Sequence, residues 1–126
     1  MNNLKFLFFL LTIFLILSCN GMTDNQVTTI TGKSVYSRSK VIELFQISSL
    51  SLKERCSGSN DALNYMINEG FADQFTRIFY EKKSVDACLI LFFSMECPIY
   101  KETSALINFY KSFIFNCKLK PVELFQ

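Results

Sequence analysis

The sequence predicts a small all-α fold: a bundle of four to five helices, braced by disulfides and carried on a flexible tether. Three observations predict it. From Ser39 onward, apolar residues recur at three- and four-residue intervals, the period of a helix with one buried face. The stretch from Cys19 to Gln126 is long enough for one small domain and no more. Four cysteines, Cys56, Cys88, Cys97 and Cys117, are spread through that segment, an even number that suits two cross-links.

The elements follow in order. Residues 20–39 are rich in Thr, Ser, Asn and Gly, without a period, and read as a tether with a reach of roughly 25 Å. The alternative there is an edge strand over Val27–Ile30. A first helix is expected from about Lys40 to Arg55, with Val41, Leu44, Phe45 and Leu52 along one face and Ser39 as N-cap. A second is expected from about Asp61 to Glu69, capped by Asn60, stopped by Gly70 and striped by Leu63, Met66 and Ile67. The clearest period spans Phe71 to Lys82. Phe71, Phe75, Ile78 and Phe79 share one face, with Asp73, Gln74, Arg77 and Glu81 opposite.

Ser84 is the expected cap of Val85–Met95. Cys88–Phe93 is apolar on every side, so it suits a buried central helix or a buried strand; its length and its neighbours favour helix. Cys97-Pro98 interrupts the pattern, because a residue before proline disfavours the α region. The last helix is expected from about Lys101 to Cys117, striped by Leu106, Phe109, Tyr110, Phe113 and Cys117. Pro121 closes it, and Val122, Leu124 and Phe125 are expected to pack back as a tail.

Helix geometry limits the cysteine pairing. A continuous last helix would hold Cys97 and Cys117 roughly 25–30 Å apart, and nine residues of helix would hold Cys88 and Cys97 about 13 Å apart. A disulfide needs Cα atoms within about 7 Å. Cys56 with Cys97 and Cys88 with Cys117 avoids both conflicts. Yet a tight hairpin at Cys97-Pro98 would set Cys88 opposite Leu106, so this pairing requires a steep crossing or a broken last helix. Four free buried thiols are the alternative. The spacings contain no C-x-x-C and suit a Cys₄ metal site badly.

The N-terminus carries a different signal. Lys5 precedes an unbroken apolar run from Phe6 to Leu17, too short for a bilayer core that needs roughly 20 residues but right for the apolar region of a signal peptide. Leu15-Ile16-Leu17-Ser18-Cys19 resembles the lipobox of bacterial lipoproteins. That resemblance implies cleavage after Ser18, with diacylglycerol on the Cys19 sulfur and a third acyl chain on its amino group. It divides the chain into a signal peptide at 1–18, a lipidated N-terminus and tether at 19–39, and a helical domain at 40–126. An ordinary signal peptide with a chance cysteine is the alternative. In a Gram-negative cell, Asn20 in place of aspartate implies delivery to the outer membrane.

Beyond residue 18 lie twelve of the thirteen Lys and Arg and all eleven Asp and Glu, a net charge of +1 with the signs interspersed. Clustered cations for a nucleic-acid groove are missing, so no nucleic-acid partner is expected. The chain has no His, which removes the commonest general base and metal ligand; no metal, no cofactor and no enzymatic activity are expected. Ser37-Arg38-Ser39-Lys40 matches the S-x-x-K of penicillin-recognising enzymes, but the companion motifs of that family are missing. Glu96 and Glu102 flank Pro98 as a candidate acid–base pair and read more simply as solvated helix-end charges. The Phe71, Phe75 and Phe79 stripe reads as core. Tyr80, Tyr100 and Tyr110 are candidates for a recognition surface.

A second resemblance concerns the C-terminal half. Cys88-Leu89-Ile90-Leu91-Phe92-Phe93-Ser94, followed by Ser104-Ala105-Leu106-Ile107-Asn108-Phe109-Tyr110, is similar to small helical immunity proteins that neutralise periplasmic amidase effectors. It implies an upstream companion cysteine for Cys88, a part Cys56 can fill. Ile90 stands where that family carries an acidic residue. The expected function is a non-catalytic envelope lipoprotein, held to the membrane by its lipid and acting through contact with a protein partner. The alternative is an immunity or inhibitor lipoprotein that blocks a toxic periplasmic cell-wall enzyme.

Overall fold

The structure is a computed structural model describing residues 24–123; the expected signal segment, Cys19, Leu124 and Phe125 lie outside the described residues. The elements are α1 (Asp24–Thr31), β1 (Val35–Ser37), α2 (Arg38–Arg55), a 3₁₀ turn (Ser57–Ser59), α3 (Asn60–Tyr65), a π turn (Met66–Gly70), α4 (Phe71–Gln74), β2 (Phe79–Glu81), α5 (Lys82–Ser94) and α6 (Thr103–Asn116). The fold is a small helical bundle with one two-stranded antiparallel sheet. The core lies between α2, α3, α4, α5 and α6. Phe45 sits at its centre, with ring centroids 5.7, 5.1 and 5.5 Å from those of Phe71, Phe75 and Phe92. Each such ring removed from water contributes about 1.5–3 kcal/mol. Two hydroxyls in this core, those of Ser49 and Tyr110, have no hydrogen-bond partner among the described residues.

The tether is the first expectation to be corrected. Asp24–Thr31 is a helix and Val35–Ser37 a strand, so the folded domain reaches back at least to Asp24 instead of starting at Lys40. Val27 belongs to that helix, not to an edge strand, and is 0 % exposed. It packs with Val35 and Phe79 in a second, smaller cluster, against which Val122 leans. These partners lie far apart in sequence, so no local period announces them.

The second correction concerns Phe71–Lys82, where the period was clearest. The helix ends at Gln74, and Phe79–Glu81 is a strand paired with β1 in the register Val35↔Glu81, Tyr36↔Tyr80, Ser37↔Phe79. Arg38 explains the stop. Its guanidinium donates to the carbonyls of Ala72 (2.7 Å) and Phe75, acceptors that a longer helix would have used for itself. Phe79 and Tyr80 are then both buried on successive residues, Phe79 in the small cluster and Tyr80 in the main core. A strand sends neighbours to opposite faces; a single helical stripe does not. Ile78, expected inside, is 71 % exposed.

Smaller corrections have local causes. Gly70 does not stop a helix: it has helical φ and ψ, and the chain runs through it from α3 by the π turn into α4. A Cβ there would meet Met66 Sδ at 2.5 Å, so glycine answers to space. Ser37, not Ser39, caps α2, accepting from the Lys40 N–H at 3.4 Å. Helix α5 starts at Lys82 and Ser84 lies in its first turn, donating to the Glu81 carbonyl at 2.8 Å. Cys88–Phe93 is helical, as its length and neighbours predict, but it is not buried all round. Val85, Cys88 and Phe92 face the core, while Ile90, Leu91 and Phe93 are exposed.

The tail packs back as expected through Val122. Glu81 N–H donates to Lys120 O at 2.8 Å and Val122 N–H to Phe79 O at 3.0 Å, placing the tail along the free side of β2. Both edges of this small sheet are thereby blunted. On the β1 side, Asp24 Oδ1 accepts from the Ser37 N–H at 2.9 Å. On the tail side, Pro121 has no N–H to offer.

Candidate functional site

The four cysteines form two pairs. Cys56 and Cys97 have their Cα atoms 5.4 Å apart and are disulfide-bonded; Cys88 and Cys117 have theirs 5.5 Å apart and are likewise bonded. The hairpin objection is resolved by residues 95–102, which follow α5 without helical structure and delay α6 until Thr103. Cys97 is therefore not on the last helix and can swing to Cys56. The rings of Phe92 and Phe113, 5.7 Å apart, show α5 and α6 antiparallel with Cys88 beside Cys117. The Cys56–Cys88 companionship implied by the immunity-protein resemblance is not formed.

Ser37 is a helix cap, and the Lys40 amine is ion-paired with Glu43 at 3.0 Å, so the S-x-x-K residues are engaged at a helix start. Glu96 and Glu102 are both exposed, and Glu102 serves as the residue before α6 whose carbonyl accepts from Leu106. No cluster of three or more His, Cys, Asp or Glu suited to a metal occurs among the described residues. Of the three candidate tyrosines, Tyr80 and Tyr110 are buried and Tyr100 is exposed. Burial pushes the Tyr110 phenol above its ordinary pKa; the nearby Ser59 hydroxyl offsets this in part, without completing a hydrogen bond.

Two surface features remain, one at each end of α6. At its start, residues 95–102 form a loop without helix or strand, pinned at two points. The Cys56 disulfide holds it at Cys97, and the Tyr100 ring rests 5.8 Å from that of Phe109. Between these pins Ile99 is 93 % exposed. No backbone group of residues 98–101 is hydrogen-bonded within the described residues. Phe93, under the Arg55 guanidinium at 5.5 Å, adds another exposed aromatic beside Cys97, whose sulfur lies 3.7 Å from the Arg55 carbonyl oxygen.

At the far end of α6 a cleft of about 300 Å³ opens between the turn 74–80, the helix end and the tail. Phe75, Ile114, Leu119 and Pro121 supply apolar wall, Phe115 stands at it 81 % exposed, and Arg77 and Lys118 supply two cations. Tyr80 fixes the turn by accepting the Arg77 N–H at 3.0 Å. Sequence alone does not reveal this site, because Arg77 and Lys118 lie some forty residues apart and share no motif. Phe115 did leave a signal: it falls off the buried stripe of Leu106, Tyr110 and Ile114.

No protein-family model, curated protein or solved structure matches the chain.

Proposed function

We propose that this protein is a non-catalytic lipoprotein of the cell envelope, anchored by acyl chains on Cys19 and acting by contact with a protein partner. The observation that carries the reading is the division of its cysteines. Cys56, Cys88, Cys97 and Cys117 are consumed in two pairs, as suits an oxidising compartment. The fifth, Cys19, stands at the end of the Phe6–Leu17 run, where a lipobox carries its acceptor. Three acyl chains would anchor firmly where one binds only marginally. In a Gram-negative cell the destination is the outer membrane. Labelling with radioactive palmitate in the native host tests the anchor. Label in the wild type and none in Cys19→Ala is the expected outcome; a soluble, processed, unlabelled product would overturn it.

The pinned loop favours a second reading, an inhibitor or immunity protein. A loop whose backbone groups at 98–101 are unpaired within the described residues and whose Ile99 is exposed has the form of a chain that enters another protein's cleft. Pinning lowers the entropy lost on binding. If so, the exported product of an adjacent gene should be toxic, coexpression of this protein should rescue growth, and Ile99→Asp should abolish rescue while leaving the fold intact. Rescue unaffected by Ile99→Asp would remove the loop from the contact.

A further inference from the structure

We propose that the cleft at the C-terminal end of α6 binds a small amphipathic anion, an apolar body bearing a single carboxylate or similar oxyanion. The inference is independent of how the chain is anchored. The cleft's volume lies at the lower end of small-molecule sites, which are mostly apolar with a few placed polar groups. Its walls are preformed. Cys117, next to Lys118, is tied to α5 through Cys88, and the tail is tied to β2 by its backbone hydrogen bonds.

Charge sets the ligand class. Among the described residues no carboxylate lines this cleft and the only ion pair is Lys40–Glu43, so neither Arg77 nor Lys118 is ion-paired. The neighbouring cleft across Thr76–Ile78 is about 510 Å³, but Glu123 lines it and would repel the same ligand. A cation near a helix C-terminus is unremarkable by itself, since the helix dipole favours it. That accounts for neither Arg77 nor the Lys118 backbone.

Lys118 has φ 50°, the left-handed region, at the position just past α6 where glycine is usual. It is the only non-glycine residue with positive φ among the described residues. Backbone strain of this kind collects at ligand clamps. Lys118 lines the cleft at this position, where glycine would have eased the turn and offered no charge. Phe115, largely exposed beside it, is placed to cover the ligand's apolar body.

Calorimetric titration of the full-length protein in nonionic detergent tests the site. The probes are 4-phenylbutyrate, octanoate and the uncharged 4-phenylbutyramide. Saturable one-to-one binding of an anion is expected, weakened at least about tenfold for the amide. Tighter binding of 4-phenylbutyrate would assign a compact aromatic acid, and tighter binding of octanoate an acyl-chain carboxylate. Arg77→Gln with Lys118→Gln should weaken the anions by about tenfold or more and leave the amide unchanged, whereas Phe115→Ser should weaken all three. Lys118→Gly separates charge from folding, since it should raise Tm and still lose anion affinity. Binding of neither anion, or equal binding by wild type and the double variant, would overturn the proposal.

Discussion

The main core is built from aromatic rings of α2, α4, α5 and α6, closed by two disulfides that both tie α5 or its following loop to distant helices. The corner of Val27, Val35 and Phe79 contains three buried side chains and no cross-link; it is held by the strand ladder and by Asp24 on the Ser37 N–H. The core resists opening through packed volume and chain constraint. The corner relies on directional bonds, each worth about 0.5–1.5 kcal/mol. The two should therefore come apart separately, the corner opening locally while the core stays closed.

The largest expected effect is in the core. Phe45→Ala removes the ring that touches Phe71, Phe75 and Phe92 and should cost about 3–5 kcal/mol, read as a lower urea midpoint with one cooperative transition. A loss under 1 kcal/mol would mean the core is not one packed unit. Next comes Cys88→Ser with Cys117→Ser, expected to cost about 2–4 kcal/mol by freeing a 29-residue separation in the unfolded chain. Thiol counting on denatured, unreduced wild type should find Cys56, Cys88, Cys97 and Cys117 all blocked.

Asp24→Ala acts on the corner and should cost about 0.5–2 kcal/mol. Hydrogen exchange should accelerate at Tyr36 and Ser37 while the α5 and α6 amides keep their protection. Uniform acceleration would erase the distinction between the two regions. The smallest effect at neutral pH belongs to Tyr110→Phe, which deletes a buried hydroxyl that lacks a hydrogen-bond partner and should be near neutral or stabilising. Its signature is alkaline. The unfolded phenol ionises near pH 10, while burial keeps the folded one protonated to higher pH. Stability is thus intact below about pH 10 and falls as pH rises beyond it. Tyr110→Phe should flatten that decline in a pH series of urea midpoints.

Helices α2 and α6 were legible because each buries one stripe along its length: Val41, Phe45 and Leu52 in the first, Leu106, Tyr110 and Ile114 in the second. The disulfide pairing agrees with the expectation from helix rise, but on a premise only partly met, since α5 stops at Ser94, α6 starts at Thr103 and Cys97 lies in the loop between them. Phe71–Lys82 failed despite a stronger period. Its phenylalanines serve two different clusters, and the choice between helix and strand was made by Arg38 and β1, more than thirty residues upstream. Val27 was illegible because one apolar residue in a polar stretch finds its partners only after the chain returns at Phe79 and Val122. The cleft shares that property: Arg77 and Lys118 acquire meaning only where the turn meets the end of α6.

The order of the bonded cysteines along the chain has a further consequence. Cys88 falls between Cys56 and Cys97, and Cys97 falls between Cys88 and Cys117, so the two covalent rings interlock in sequence instead of nesting or following one another. A protease that cuts once anywhere from Ser57 to Asn116 leaves a single covalent molecule. Two cuts, one before Cys88 and one after Cys97, still leave every fragment joined. Such a nicked chain would migrate intact on a gel without reductant and fall into pieces with it, so a cut at the exposed Ile99 loop separates nothing while both disulfides hold.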